Sequence, residues 1–460
     1  MPVPRRARPI AVTAAALPVL LLAAACSGAG GGSNAGGSAS SSGGGGGGSV
    51  NVLMVNNPQM LDLQKLTADN FTKKTGIKVN YTVLPENDVR DKISQEFSSQ
   101  AGQYDVASIS NYEVPFYSKN GWLAPLDKVT GDPAFDQGDI LKPMAAGLTG
   151  ADGKIYGEPF YGESSFLMYR KDVLAAKNLT MPDKPTWTQV ADIAAKVDGA
   201  QPGMKGICLR GLPGWGEVMA PLTTVVNTFG GTWFDKDWNP GVNGAGFKDA
   251  TQFYVDLVQK HGESGAPQSG FSECLNNVTQ GKVAMWYDAT SAAGSLEAPT
   301  SAVAGKMGYA QAPVMKTNSS GWLYSWAWGI QKASKNQDNA AKFIAFASGK
   351  EYENLVGTTQ GWSKVPAGKR ASIYQNAEYL KGASSFAEAT QTAINAADPR
   401  KAGVDPRPYV GIQFVGIPEF TALGTSVSQE ISSAIAGRTS VADALDKGQK
   451  LAEPVGKKYK

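Results

Sequence analysis

Short apolar runs alternate with longer segments of helical periodicity from residue 50 onward. The pattern predicts strands at 50–55, 77–83 and 104–110, a helix at 60–74 that ends at Gly76, and a helix at 89–100. Apolar residues recur near every third or fourth position in the helical segments, whereas the second strand alternates apolar and polar residues. Strands and helices in such alternation predict an α/β lobe with helices on both faces of its sheet.

The same alternation continues through the rest of the chain. Thr186 and Gln189 have the spacing of a capping box, which predicts a helix that runs to Val197. Helices are also predicted at 247–260, 339–348, 428–436 and 441–451, and short strands at 207–209 and 283–285. The predicted fold class is therefore α/β throughout.

The first 49 residues have a different composition. Three arginines between residues 5 and 8 precede an apolar stretch at 10–25, the layout of a signal peptide, and we expect residues 1–25 to be removed. Small residues before Cys26 resemble a bacterial lipobox, in which the cysteine thiol is lipidated; an ordinary signal peptide cut nearby is the alternative. The remainder of 26–49 is almost entirely Gly, Ser and Ala, which predicts a flexible tether.

Charge and cysteine content narrow the classes of function. The chain has 43 Lys and Arg against 40 Asp and Glu, and a net charge of +3 gives no support for a nucleic-acid partner. Besides Cys26, the sequence contains Cys208 and Cys274, in a body that we expect to be exported to an oxidising compartment. They either form a disulfide or lie apart as small buried side chains, and no spacing rule decides between the two.

The sequence offers little catalytic chemistry. His261 is the only histidine, so a two-histidine metal site is impossible, and it stands at the end of a predicted helix, where a surface role is typical. Neither a Gly-x-Ser-x-Gly elbow nor a phosphate-binding Gly-x-x-x-x-Gly-Lys loop is present. We expect no metal, no cofactor and no enzymatic activity; a secreted carbohydrate-active enzyme with a carboxylate pair is the alternative.

A set of motifs extends over nearly all of residues 50–460. They are Gly-Ile-Lys-Val at 76–79, Tyr-Asp-Val at 104–106, Asn-Gly-Trp-Leu-Ala-Pro-Leu-Asp at 120–127, Phe-Leu-Met-Tyr-Arg-Lys-Asp-Val-Leu at 166–174, Gly-Lys-Val-Ala-Met-Trp at 281–286 and Ala-Ser-Lys-Asn-Gln-Asp-Asn-Ala-Ala-Lys-Phe-Ile at 333–344. In concert they resemble the bacterial extracellular solute-binding proteins, the family 1 sugar-binding lipoproteins of ABC importers. The resemblance implies a type II periplasmic-binding-protein-like fold with two hinged α/β lobes and a ligand cleft between them. The first lobe would hold 50–158 and 307–362, and the second would hold 159–306 and 363–460.

A second set of motifs has a narrower resemblance. It comprises Tyr-Glu-Val-Pro at 112–115, Pro-Phe-Tyr-Gly-Glu-Ser-Ser-Phe at 159–166, Gly-Ile-Cys-Leu-Arg-Gly at 206–211, Gly-Trp-Gly-Glu at 214–217 and Tyr-Val-Gly-Ile-Gln-Phe-Val-Gly-Ile-Pro-Glu-Phe at 409–420. These segments are similar to the sorbitol- and mannitol-binding branch of the family. The resemblance implies a polyol or related sugar as ligand, membrane permease subunits as partners, a monomer, and a lipid-anchored position on the extracellular face of the cell membrane. A sensor that reports to a membrane kinase instead of a transporter is a further alternative.

Polar and aromatic residues that follow the predicted strands are the candidate ligand contacts. A polyol needs charged or amide groups for its hydroxyls and aromatic faces for its carbon chain. The candidates are Asn56, Asn57, Tyr112, Glu113, Tyr161, Glu163, Arg210, Trp215, Glu217, Trp286, Asp288 and Trp326. Structural roles are the alternatives: a helix N-cap for the asparagines, a hinge ion pair for Glu163, and a salt bridge over a core tryptophan for Arg210 and Glu217.

Overall fold

The structure, a computed structural model, describes residues 47–460. Its strands are β1 Gly48–Val55, β2 Ile77–Leu84, β3 Val106–Ser110, β4 Leu123–Ala124, β5 Glu158–Glu163, β6 Ser165–Arg170, β7 Lys205–Cys208, β8 Val283–Ala289, β9 Met307–Gln311 and β10 Tyr324–Gln331. Its α-helices are α1 Pro58–Thr67, α2 Lys73–Thr75, α3 Glu86–Ser99, α4 Val114–Lys119, α5 Asp127–Thr130, α6 Lys142–Gly147, α7 Lys171–Ala176, α8 Trp187–Val197, α9 Met219–Phe229, α10 Ala245–His261, α11 Phe271–Thr279, α12 Ala293–Leu296, α13 Gln337–Ser348, α14 Lys350–Gln360, α15 Ala377–Gly382, α16 Ala387–Ala396, α17 Phe420–Ile435 and α18 Val441–Lys457. The predicted signal peptide, the predicted lipidation at Cys26 and nearly all of the Gly/Ser-rich segment lie outside the described residues.

Most elements follow the sequence pattern closely. The capping box at the start of α8 is present, with the Thr186 hydroxyl accepting from the backbone N–H of Gln189. The predicted helix at 60–74 begins earlier, at Pro58, and is interrupted by a π-helical turn at Ala68–Thr72 before it ends at Gly76. None of the described helices is both long enough and apolar enough to cross a bilayer.

The first sheet collects several strand ends at one edge. Its strand order is β2-β1-β3-β10-β4, and β5 pairs with β10 as well. β1 is parallel to β2 and β3, whereas β10 runs antiparallel to β3 and β5. The carboxyl ends of β1, β3 and β5 therefore lie beside the first residues of β10, and the side chains that follow these strands share this edge.

The second sheet has the order β7-β8-β6-β9, with β7 parallel to β8 and β6 antiparallel to both β8 and β9. The carboxyl ends of β7 and β8 accordingly meet the first residues of β6. Only Ser164 separates β5 of the first sheet from β6 of the second. Because this connection is so short, the edge of the first sheet at which β5 ends faces the edge of the second sheet at which β6 begins.

Two strands belong to the opposite lobe from the one that the sequence predicted for them. β5, which the sequence assigned to the second lobe from residue 159, pairs with β10 in the first sheet. β9, which was expected in the first lobe from residue 307, pairs with β6 in the second sheet. Strand pairing fixes each assignment, because a ladder of backbone hydrogen bonds belongs to one sheet only.

Cys208, at the end of β7, is disulfide-bonded to Cys274 in α11, with their Cα atoms 5.7 Å apart. The sequence had left this pairing open. The bond ties the β7 carboxyl end, which leads to Arg210, to the helix that begins at Phe271. Both of these residues line the cavity described below.

Replacing both Cys208 and Cys274 with alanine should lower the free energy of unfolding by about 2–5 kcal/mol, the usual loss for a native disulfide. The physical reason is that the bond closes a loop with a sequence separation of 66 residues and so restricts the unfolded chain. Urea unfolding of the oxidised wild type, the reduced wild type and the double variant measures the effect. Equal stability of all three would contradict it.

Candidate ligand-binding site

A narrow cavity with about 30 Å³ of free space lies where the strand ends of the first sheet face those of the second. This space is far below the roughly 300–1,000 Å³ of typical small-molecule sites, so a sugar-sized ligand would enter only after the two sides had moved apart. The lining residues are Asn57, Glu86, Arg90, Glu163, Arg210, Gly216, Ala220, Phe271, Ala289, Ser291, Trp322, Tyr324, Trp326, Gln413 and Phe414. The set combines acidic, guanidinium, amide, hydroxyl and aromatic groups on one surface.

Arg210 is the centre of the second-sheet side of the cavity. Its Nη2 and Nε donate to the two carboxylate oxygens of Asp288, at 2.6 and 2.8 Å, and its Nη1 lies 3.2 Å from Glu217 Oε2. Asp288 also accepts from Trp286 Nε1 at 3.0 Å. This bidentate pair with the fully buried Asp288 holds the guanidinium group in one orientation.

Arg90 has the corresponding position on the first-sheet side. Its guanidinium lies between the rings of Trp215 and Trp326, 4.2 and 4.6 Å from their centroids. It donates to Glu86 at 2.8 and 3.1 Å and to Glu113 at 3.3 Å. The planar, permanently charged group can stack on aromatic faces and bind carboxylates at the same time, which a lysine cannot do.

Glu163 ends β5 and carries a carboxyl group that no arginine binds directly. Its Oε2 accepts from Ser291 Oγ at 2.5 Å. Burial raises the pKa of Glu163 to about 8, and hydrogen bonding from Ser291 and the charge of Arg210 offset only part of this increase. At neutral pH the group is therefore mainly protonated, and it can both donate a hydrogen bond to a hydroxyl and accept one from it.

Asn57 is fixed by a hydrogen bond from its Nδ2 to the Tyr161 hydroxyl at 2.8 Å. It precedes α1 at the N-cap position, but its side chain makes no capping bond. The amide is thus held against a neighbouring side chain at the cavity wall rather than used to cap the start of α1. Its Oδ1 atom is an acceptor suited to a hydroxyl.

Trp322 brings a hydrogen-bond donor that has no acceptor in the described part of the chain. The residue is 2% exposed, and its Nε1 atom is buried without a partner within residues 47–460. Buried donors are nearly always satisfied in native proteins. Since the Trp322 side chain is among those that line the cavity, its N–H is a candidate donor to a bound molecule.

The structure brings most of the twelve predicted residues to the cavity, but in two layers. Asn57, Glu163, Arg210 and Trp326 line it. Seven others contact lining side chains from behind, namely Tyr112, Glu113, Tyr161, Trp215, Glu217, Trp286 and Asp288. Asn56 is not among the lining residues, because it directly follows β1 and its backbone N–H extends the ladder to Leu84 of β2.

Several lining residues were not among the candidates. Glu86 and Arg90 stand in α3, where their spacing of four resembles an ordinary surface pair. Ser291 and Phe271 carry no motif of their own. Gln413 and Phe414 lie in the 409–420 segment that carried the narrower resemblance, and this segment was the one signal that could have found them.

Comparison with protein families finds one model that matches. Residues 57–354 match the model described as "Bacterial extracellular solute-binding protein". The chain is also 39% identical over 404 residues to a mannitol-binding protein of Pseudomonas aeruginosa, which covers 87% of this chain and 91% of that protein. The match therefore covers most of both proteins.

Solved structures of solute-binding proteins have the same fold as this chain. A solute-binding protein of an ABC transporter from Agrobacterium vitis, solved with bound D-mannitol, has a TM-score of 0.87 and 45% identity, covering 90% of this chain and 99% of that one. A protein from Agrobacterium radiobacter in complex with ribitol has a TM-score of 0.79 at 22% identity, covering 89% and 99%. The second similarity is one of fold alone.

Proposed function

The chain belongs to the bacterial extracellular solute-binding protein family, and we propose that it captures an acyclic polyol of the sorbitol or mannitol type for an importer of the ABC class. In this role it is a binding protein that releases its ligand chemically unchanged. The fold, type II with two α/β lobes and a cleft between them, is the one that this family uses.

One observation carries the proposal. Buried hydrogen-bonding groups and aromatic rings converge on the cavity between the two sheets, including the carboxyl group of Glu163 and the side chain of Trp322, whose Nε1 has no partner among the described residues. A polyol matches this surface because its hydroxyls both donate and accept along an apolar carbon chain. One relative is named a mannitol-binding protein, and the structure of another holds bound D-mannitol, which supports the same class of ligand here.

Contacts across the cavity support closure of one lobe on the other. Gln59 Nε2 donates to the Ser291 carbonyl at 2.9 Å, and Asn87 Nδ2 donates to the Pro213 carbonyl at 2.9 Å. A ligand held by both sides would favour the arrangement in which these contacts form. We propose that this closed form is the one that docks on the permease.

The start of the sequence supports a lipid anchor. We propose that Cys26 is lipidated after removal of residues 1–25 and that the Gly/Ser-rich stretch after it connects the anchor to the folded body. The protein would then work on the extracellular face of the cell membrane, beside its permease. Metabolic labelling with a palmitate analogue tests this: wild type should be labelled, and Cys26→Ala should not.

Isothermal titration calorimetry tests the ligand class. We expect binding of mannitol, sorbitol, arabitol or xylitol, weaker binding of cyclic hexoses, and recovery of every sugar unchanged. Product formation would favour an enzyme with a carboxylate pair. Absence of any polyol binding by the folded protein would contradict the proposal.

Trp322→Phe should weaken polyol binding about 5- to 20-fold. The change removes the Nε1–H donor and part of the aromatic wall, and a neutral hydrogen bond contributes about 0.5–1.5 kcal/mol. Calorimetry of the variant measures the loss.

Trp328→Phe is the matched control. The Trp328 Nε1 is also buried without a partner among the described residues, but its ring packs against Phe160 and Phe343 away from the cavity. This variant should lose stability and keep its affinity. If the two variants lowered affinity equally, the Trp322 donor would have no special role.

A further inference from the structure

Carboxyl groups outnumber guanidinium groups around the cavity. Two guanidinium groups, on Arg90 and Arg210, are surrounded by five carboxyl groups, on Glu86, Glu113, Glu163, Glu217 and Asp288. Each arginine already has at least two carboxyl partners within 4.0 Å. Neither arginine therefore has a free charge to offer an anionic ligand.

Glu163 differs from the other four carboxyl groups. It lines the cavity and is 6% exposed. Ser291 Oγ is its one hydrogen-bond donor, and no Lys, Arg or His nitrogen lies within 4.0 Å of it among residues 47–460. A buried carboxyl group without a cation stays ionised only at a high energetic cost, and a cation brought by the ligand would remove that cost.

We propose that the same cavity also takes amino-polyols, with the ligand's terminal ammonium group ion-paired to the Glu163 carboxylate. This rests on the proposed function, since the remaining hydroxyls would occupy the positions of a neutral polyol. Sugar acids and sugar phosphates would be rejected, because their charge would face the excess of carboxyl groups. The ligand class of the site is thereby extended from neutral to cationic polyols.

Ionisation of Glu163 couples this binding to pH. The charged and titratable groups that face it are Arg210, Asp288 and Glu86, with Ser291 as hydrogen-bond donor and Tyr161 on the same strand. Glu217, another carboxyl partner of Arg210, also has its pKa raised to about 8, by burial and by Glu86, so the Glu163→Gln variant is needed to separate the two carboxyl groups. Arg210 is already paired with Asp288, so the nearest cation is neutralised. Since the pKa of Glu163 is raised to about 8, the free protein must release its proton when an ammonium group binds.

The test compares 1-amino-1-deoxy-D-sorbitol with D-sorbitol by calorimetry at pH 6, 7 and 8. In the wild type, affinity for the amine should rise by about tenfold per pH unit below the pKa of Glu163, while affinity for sorbitol stays nearly level. Repeating the titration in two buffers with different ionisation enthalpies should reveal release of about one proton for the amine and none for sorbitol.

Glu163→Gln provides the second readout. It should reduce affinity for the amine at least tenfold more than affinity for sorbitol and abolish the proton release. Binding of sorbitol without binding of the amine, or amine binding without proton release, would overturn this inference and leave the proposed function standing. Failure of both ligands to bind would overturn the proposed function itself.

Discussion

Replacing Arg210 with alanine should lower the affinity for mannitol by about 100-fold or more, which is about 2.7 kcal/mol of binding free energy. Arg210 lines the cavity and orients its donors through Asp288 and Glu217. The variant should also lose about 3–5 kcal/mol of stability, because Asp288 is left buried without its partner. Calorimetry and urea unfolding measure the two effects separately.

Arg438→Ala is the control for this prediction. Arg438 is exposed and makes no ion pair within the described part of the chain, so its removal should change neither affinity nor stability. An Arg210→Ala variant that is folded and binds mannitol within threefold of wild type would contradict the account. It would show that the guanidinium serves only to neutralise Asp288.

Replacing Arg90 should have a comparable effect from the opposite side of the cavity. Arg90→Ala removes the group that stacks between Trp215 and Trp326 and leaves Glu86 and Glu113 without their cation. We expect affinity for mannitol to fall about 100-fold, because the cavity loses a charged donor and the group that orders two of its rings. Separately, stability should fall by about 3–5 kcal/mol, because two buried carboxyl groups lose their partner. Calorimetry on the purified variant measures this change.

Arg90→Lys separates charge from shape. Lysine keeps the positive charge but cannot stack on two rings while it binds Glu86 with two donors. We therefore expect it to recover part of the stability of Arg90→Ala and little of the affinity. Full recovery of mannitol binding by lysine would contradict a role for the aromatic stack.

The sequence predicted the α/β order because strand and helix leave different periodicities. α8 has the bounds that its capping box and apolar pattern predict, whereas β1 and α3 begin two and three residues before their predicted starts. The predicted boundaries between the two lobes were less accurate. β5 and β9 are short apolar strands, and nothing in their composition tells which of two sheets will pair with them.

The candidate site could be predicted only in part for a similar reason. Residues that follow strands were found, because strand ends gather at a sheet edge, and this identified Asn57 and Arg210. The same rule does not distinguish the residue that faces the cavity from one that supports it, so Trp286 and Asp288 were expected as direct contacts. Glu86 and Arg90 were missed since a pair spaced by four on a helix has the pattern of a solvated surface.

The most direct test of the account is a crystal structure of the protein grown with mannitol. We expect one mannitol molecule in the cavity between the two sheets, with hydroxyl oxygens within hydrogen-bond distance of Trp322 Nε1, Glu163 and Arg210. Its carbon chain should lie against the ring of Trp326. Mannitol bound elsewhere on a folded protein, with this cavity holding only water, would contradict the central claim.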